Sequence, residues 1–344
     1  GSFYGQGAGR DAVNVLGKYL DILFIALLLP LFGEPRYRRY GLTFFMAAMT
    51  LTLALSYLIW FGAFEGTQFF TYRGRDNPVV FKFHITHGIL MAFAAYLFAV
   101  KARSGMGQTR ILMAALALLA AFNVLFMTQG RTGYLVLGVL GAYYMYSVLG
   151  RRELWLGVAG AIALLMMGYT VSPALKGRVD LTLREAQAWQ PGLGHNEASS
   201  IGTRMDFYAN ALKIIAQHPF AGVGTGGFEK AYGQEIAGTT ESLSNNPHNQ
   251  FLLLSAQLGL PGLAALIYLL LTQWRTARNL PTEEEHLLAR GIVLTLIAGS
   301  LFNSMMLDHT EGLFYAWFSG LLFAGYRLPA PTTNPNPDKE RHDA

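Results

Sequence analysis

The sequence predicts an all-α protein, a polytopic bundle of transmembrane helices with one long outer loop that contains short helices. Three observations predict this class. Of the 344 residues, 52% are apolar and only 14% charged, whereas ordinary soluble domains carry about a quarter charged residues. Nine apolar stretches approach the length of about twenty residues that a helix needs to cross the hydrocarbon core: 12–31, 41–63, 79–100, 111–127, 132–149, 154–171, 250–272, 288–307 and 312–326. The runs Leu51 to Phe64 and Phe251 to Leu271 are apolar nearly all round, without the polar stripe of a surface helix. Backbone groups in lipid must bond within their own segment, which makes helices the economical form.

Lysine and arginine orient the helices. Arg36, Arg38 and Arg39, then Lys101, Arg103 and Arg110, then Arg151 and Arg152, then Arg275 and Arg278 fall in alternate connections, which are read as cytoplasmic. The other connections, 64–78, 128–131, 172–249 and 308–311, then lie outside, although Arg73, Arg75 and Arg131 depart from the bias. An outside N-terminus predicts an odd number of helices upstream. The expected organisation is about six helices in 1–171, an outer loop in 172–249, about three helices in 250–327 and a cytoplasmic tail in 328–344. The tail, rich in Pro, Asn and charge, is expected to be disordered. The net charge of +5 is spent on topology rather than on a nucleic-acid surface. Cysteine is absent, which excludes disulfides and thiolate metal sites.

A connection as long as 172–249 is uncommon unless it is functional or disordered, and this one carries a helix pattern. Ile201, Met205, Tyr208, Leu212 and Ile215 recur at helical spacing, Arg204 falls in the first turn, and Pro219 stops the helix. The helix is expected to lie on the membrane surface or to pack across the bundle. Gly222, Gly224 and Gly227 then match G-x-G-x-x-G formally. No strand precedes them, so a turn packing closely on its neighbours is the favoured reading over a phosphate cradle.

Asn246-Pro247-His248 opens the next membrane helix, with Asn246 read as N-cap and Pro247 as the first helical residue. Helical angles then place Ser255, Gly259 and Gly262 within about 40° of the His248 direction, a small-residue seam. A helix N-terminus and any nearby arginine disfavour the imidazolium, and a neutral histidine can take a proton from a sugar hydroxyl. The plainer alternative is a boundary histidine bonded to the loop. Arg131, in the tight turn Thr128–Gly133, either snorkels to water or binds phosphate bidentately. Lys82 is a candidate third cation. His84 and His87 could ligate a metal but lack an acidic partner in sequence, so helix packing is favoured and no metal is expected. Asp308 either orients His248, contacts an acceptor, or belongs with His309 and Glu311 to a solvated turn. Glu283, Glu284 and Glu285 read as a solvated charge run. The sequence has no D-x-D, which argues against nucleotide sugars as direct donors.

At these residues the chain resembles the bacterial O-antigen ligase family, which shares a superfamily with O-antigen polymerases and O-linked protein oligosaccharyltransferases. His248-Asn249, nine residues, Gly259, two residues and Gly262 fit the pattern H-[NSQ]-x9-G-x-x-[GTY]. Arg204 with Ile214 to Phe228 looks like the loop segment, and Thr128 to Gly133 is similar to the arginine-bearing turn. The resemblance spans about residues 111–326. Members have about twelve helices, which agrees with helices upstream. It implies a GT-C-like bundle in the bacterial inner membrane with its site facing the periplasm. The implied reaction, metal-independent and without a cofactor, moves a glycan from undecaprenyl diphosphate to a sugar hydroxyl of lipid A–core. Arg131 and Arg204, with Lys82 in a lesser part, would bind the diphosphate, His248 would be the base, and Asn249 and Asp308 accessory. The rival readings are a polymerase, a protein oligosaccharyltransferase and, from another class, a lipid-linked glycan transporter. A transporter would need polar groups near mid-membrane, for which Lys18 and Asp21 are the candidates.

Overall fold

The chain is described by a computed structural model over residues 9–63, 74–171 and 200–326, with Gly5 and isolated positions between 176 and 190. The tail 327–344, Arg73 and most of the first part of the long loop lie outside the described residues. All regular structure among the described residues is helical: α1 (Gly9–Tyr19), α2 (Phe24–Leu31), α3 (Pro35–Trp60), α4 (His84–Ser104), α5 (Gly107–Phe122), α6 (Arg131–Tyr144), α7 (Arg151–Val171), α8 (Ser200–Gln217), α9 (Phe228–Glu235), α10 (Gln250–Ala277), α11 (Glu283–Ser300) and α12 (His309–Phe323). A 3-10 turn, Leu20–Leu23, joins α1 to α2, and π turns, Asn123–Met127 and Met145–Leu149, follow α5 and α6. Among the described residues, five segments are long and apolar enough to cross a membrane: Gly9–Leu31, Pro35–Trp60, His84–Ser104, Gly107–Met127 and Gln250–Ala277. The all-helical membrane class is therefore as expected.

α4 is the centre of the bundle. It packs against α5, α6 and α11, and Met91 to Ala94 have no exposed surface. α3, α5 and α10 instead present large apolar side chains outward, among them Phe44, Leu118 and Tyr268, each more than 70% exposed. Apolar surface on that scale has lipid as its natural solvent. At one end of the bundle, Arg38 pairs with Glu285 at 3.1 Å, Lys101 with Glu284 at 2.6 Å, and Arg103 with Glu283. Glu283 to Glu285 are thus not a freely solvated run. They tie the start of α11 to α3 and α4, and Arg38 and Glu285 are nearly buried together.

Several span boundaries differ from the apolar runs. Residues 79–83 are not helical, and α4 starts at His84. α11 ends at Ser300, so Leu301 and Phe302 stand in a turn although they continue the apolar run. The first span breaks at Leu20–Leu23. Asp21, buried there, accepts from His309 Nδ1 at 2.9 Å. It therefore lies level with the first residue of α12, at the end of the bundle opposite the ion pairs.

α10 bends at Gly259, whose φ of 69° and ψ of −169° belong to a region essentially restricted to glycine. Pro261 has no N–H to offer the Gln257 carbonyl, and the Leu260 N–H turns away to the Pro219 carbonyl at 2.7 Å. The freed carbonyls of Ala256 and Gln257 accept from Val223 and Gly224 at 2.8 and 2.9 Å. The glycine-rich loop is thus stitched into the kink, and a Cβ at Gly222 would stand 2.4 Å from the Gln257 backbone. The close-packing reading of these glycines holds, and two of the loop's amides, those of Val223 and Gly224, are taken by α10. At Gly259 a Cβ would meet the Phe220 backbone at 2.6 Å. Gly259→Ala is expected to cost about 1–3 kcal/mol from backbone conformation alone and more from the clash. A lowered unfolding temperature in detergent, by several degrees or more, would show it.

Candidate functional site

The end of the bundle that holds Asp21 and His309 carries α8, the turn before α6, the entry to α10 and the Leu301–Asp308 turn. α4 and α6 approach through glycines, since a Cβ on Gly133 would stand 2.9 Å from the Gly88 Cα, and one on Gly130 2.7 Å from the His84 carbonyl. The π turn at Asn123 feeds this approach. Thr128 N–H bonds the Asn123 carbonyl at 3.1 Å, Tyr134 Oη donates to the Thr128 carbonyl at 2.7 Å, and Gln129 N–H donates to Asn77 Oδ1 at 3.2 Å. Arg131, exposed, is thereby delivered as the first residue of α6.

α8 packs against α9 and α10, across the end of the bundle. It carries Arg204, Phe207 and Tyr208, and positions 204 and 208 share a face. Tyr208 Oη and Asn249 Nδ2 both donate to the Leu301 carbonyl, at 2.7 and 3.1 Å. Three segments meet there: Arg131, Thr132, Arg204, Met205, Tyr208 and Phe302 line one cavity of about 320 Å³. Burial above all, with the like charge of Arg131, holds Arg204 below the ordinary guanidinium value, offset in part by Tyr208. Two guanidinium groups brought together in a partly desolvated cavity have the chemistry to hold an anion.

His248 does not lie in a helical turn. Its φ is 52°, a left-handed conformation that is uncommon away from glycine. Asn246 is not the N-cap of α10. Its Oδ1 folds back to accept from His248 N–H at 2.8 Å and from the Ser304 hydroxyl at 2.6 Å. Asn249 caps α10 instead, accepting from the Phe251 and Leu252 N–H groups at 2.9 and 3.0 Å. The seam that would have aligned His248 with Ser255, Gly259 and Gly262 is therefore replaced by a kink. The His248 ring stacks on Phe207 at 5.7 Å and 27°. Burial, and then the Arg204 charge, push His248 below 6.5.

That shift has a testable sign. The imidazole stays neutral down to a pH below 6.5 and protonates only as pH falls further. Replacing Arg204 with Gln removes the repulsion, so the His248 pKa should rise, with burial still holding it below 6.5. An NMR titration of the His248 ring in both proteins checks this without depending on turnover, and an unmoved midpoint would separate the two residues.

Other sequence candidates are placed elsewhere. Lys82 does not line the arginine cavity, and its charge acts on Asp308. Asp308 caps α12, accepting from the Thr310 N–H at 2.9 Å, rather than orienting His248. The neighbouring Glu311 carboxyl first, then the Thr310 N–H and Lys82, hold Asp308 below the usual carboxylate range. His87 is a packing residue. Val80 N–H donates to its Nδ1 at 3.4 Å, leaving Nε2 to donate to Asn123 Oδ1 at 3.1 Å, so neither nitrogen is offered to a metal. Phe207, Tyr208 and Phe302 were hidden to sequence reading as members of apolar stripes. The pairing of an arginine and a tyrosine four apart on an outer helix is the one signal that could have found Tyr208.

No curated protein matches the chain. A family model described as Wzy_C, O-antigen ligase, matches residues 114–267, a stretch that contains Arg131, Arg204, the glycine-rich loop, His248 and the α10 kink but not Lys82 or Asp308. Over that stretch the chain is similar to the O-antigen ligase family.

Proposed function

We propose that this protein transfers a glycan from undecaprenyl diphosphate to a sugar hydroxyl of lipid A–core, at a site facing the periplasm across the bacterial inner membrane. The observation that carries the reading is the meeting of Arg131 and Arg204 on one cavity, with His248 close enough to Arg204 to feel its charge. The guanidinium groups bind the donor diphosphate and stabilise the negative charge that grows on it as the C1–oxygen bond breaks. Neutral His248 accepts the proton of the attacking hydroxyl. The acceptor oxygen bonds C1 as the electron pair leaves to the diphosphate, so no general acid is needed, and one displacement inverts the anomeric centre. Both cations are arginines, whose charge is permanent, which suits a metal-independent reaction.

The test is a gel assay of purified protein in detergent with lipid-linked glycan, without an energy source. One arm supplies lipid A–core and the other a second lipid-linked glycan. Joining to lipid A–core with inverted configuration supports the ligase. Joining only to the second glycan makes the protein a polymerase, and a retained configuration overturns the single displacement.

A further inference from the structure

A larger cavity, of about 930 Å³, lies on the other side of the wall that backs the arginine cavity. The wall is the Leu301–Asp308 turn. Phe302 faces the arginine cavity, while Asn303 and Ser304 line the larger one. Asn246 lines it too, and the same Asn246 Oδ1 that holds His248 N–H holds the Ser304 hydroxyl. α1 closes the opposite side, its Asp11 backbone coming close enough to Gly226 that a Cβ there would stand 2.7 Å away. The volume falls within the range of about 300–1,000 Å³ typical of small-molecule sites.

The lining decides what chemistry the cavity takes. Asp11, Glu229, Asp308 and Glu311 face it against a single lysine, Lys18, so it does not suit a second phosphate. Glu311 is 1% exposed, and its Oε1 accepts from Thr86 Oγ1 at 2.8 Å. Burial first, then Asp308, push this residue, in the first turn of α12, up to about 8. Gln257 lies seven residues into α10, about 10 Å below its start. It is 2% exposed, and its Oε1 has no hydrogen-bond partner. A buried amide oxygen left without a donor is costly, and native interiors satisfy nearly all such atoms. Sugar hydroxyls both donate and accept, which fits an amide oxygen without a donor and carboxyls that line the same cavity.

We propose that this cavity is a carbohydrate subsite in which a hydroxyl donates to Gln257 Oε1 and the sugar chain runs toward the wall beside His248. The proposal rests on the transferase reading and deepens it by assigning a place to the non-phosphorylated sugar. That sugar belongs either to the acceptor core or to the donor glycan, and the probes tell the two apart. Titration calorimetry of purified full-length protein in detergent, against delipidated core oligosaccharide and separately against delipidated donor glycan, should show one of them binding. Gln257→Leu should weaken that binding at least tenfold, and in turnover should raise KM for the substrate carrying that sugar with little change in kcat. Asn303→Trp, which fills the cavity from the partly exposed turn, should do the same if Gln257→Leu fails to fold. Binding without turnover in the parent would remove the transferase reading and leave the subsite. Binding of neither probe, or binding unchanged by a folded Gln257→Leu or Asn303→Trp variant, would make the cavity a water-filled vestibule and overturn the proposal.

Discussion

Replacing His248 with alanine should lower glycan transfer by about 10²–10⁴-fold, the range that a positioned general base contributes. Alanine is a blunt probe at this position, however. The backbone is left-handed, with a φ of 52°, and the ring's stack on Phe207 is worth about 0.5–1.5 kcal/mol. Asparagine tolerates the left-handed region better than alanine and keeps polar character without basicity in the working range. His248→Asn should therefore stay folded, as judged by its unfolding temperature, and should still lose transfer on the same scale. A well-folded His248→Asn protein with near-parental turnover would remove His248 from the chemistry. The lost activity should sit in kcat, because the proton moves only as the new bond forms.

The class of the fold was legible in the residues because lipid imposes so strong a length rule. The apolar runs at 41–63 and 250–272 correspond to α3 and the outer part of α10. Boundaries were less legible wherever a neighbour outranked the local pattern. Asn246-Pro247 has the composition of a helix start, yet the Asn246 side chain is taken by His248 and Ser304, leaving Asn249 to cap. Leu301 and Phe302 continue an apolar run, yet their turn is held by Tyr208 and Asn249, donors about 90 and 50 residues away in sequence. The partners of Glu283 to Glu285 are likewise about 180 to 250 residues distant. Periodicity registers none of these contacts. Gly259 shows the same gap from the other direction: the motif marked the residue, and only the diversion of Leu260 N–H to Pro219 explains why it must be glycine. Arg131 drew attention as an ionisable group at a bundle position, His248 as a histidine at a helix start within the motif, and Arg204 as part of the loop segment that carries the resemblance. Lys82 and Asp308 drew attention as charges near the same boundary, but neither lines the arginine cavity.

Arg204→Ala should cost about 10²–10³ in rate, as the loss of one oxyanion-type donor does, and Arg131→Ala should fall in the same range. The two sites differ in a way that makes the pair informative. Arg204 is partly buried, and its charge acts on both Arg131 and His248, whereas Arg131 is exposed at the first position of α6. Arg204→Ala should thus also move the acid limb of the residual pH profile upward, since His248 protonates more readily without it. Arg131→Ala should leave that limb close to where it was. Lysine keeps the charge but not the planar fork that grips two phosphate oxygens, so Arg204→Lys should recover only part of the lost rate. Because both groups are proposed to act on one diphosphate, the double variant should lose less than the product of the single losses. Fully multiplicative losses would place the two arginines on separate events, and the shared cavity would then have to be read as two half-sites rather than one.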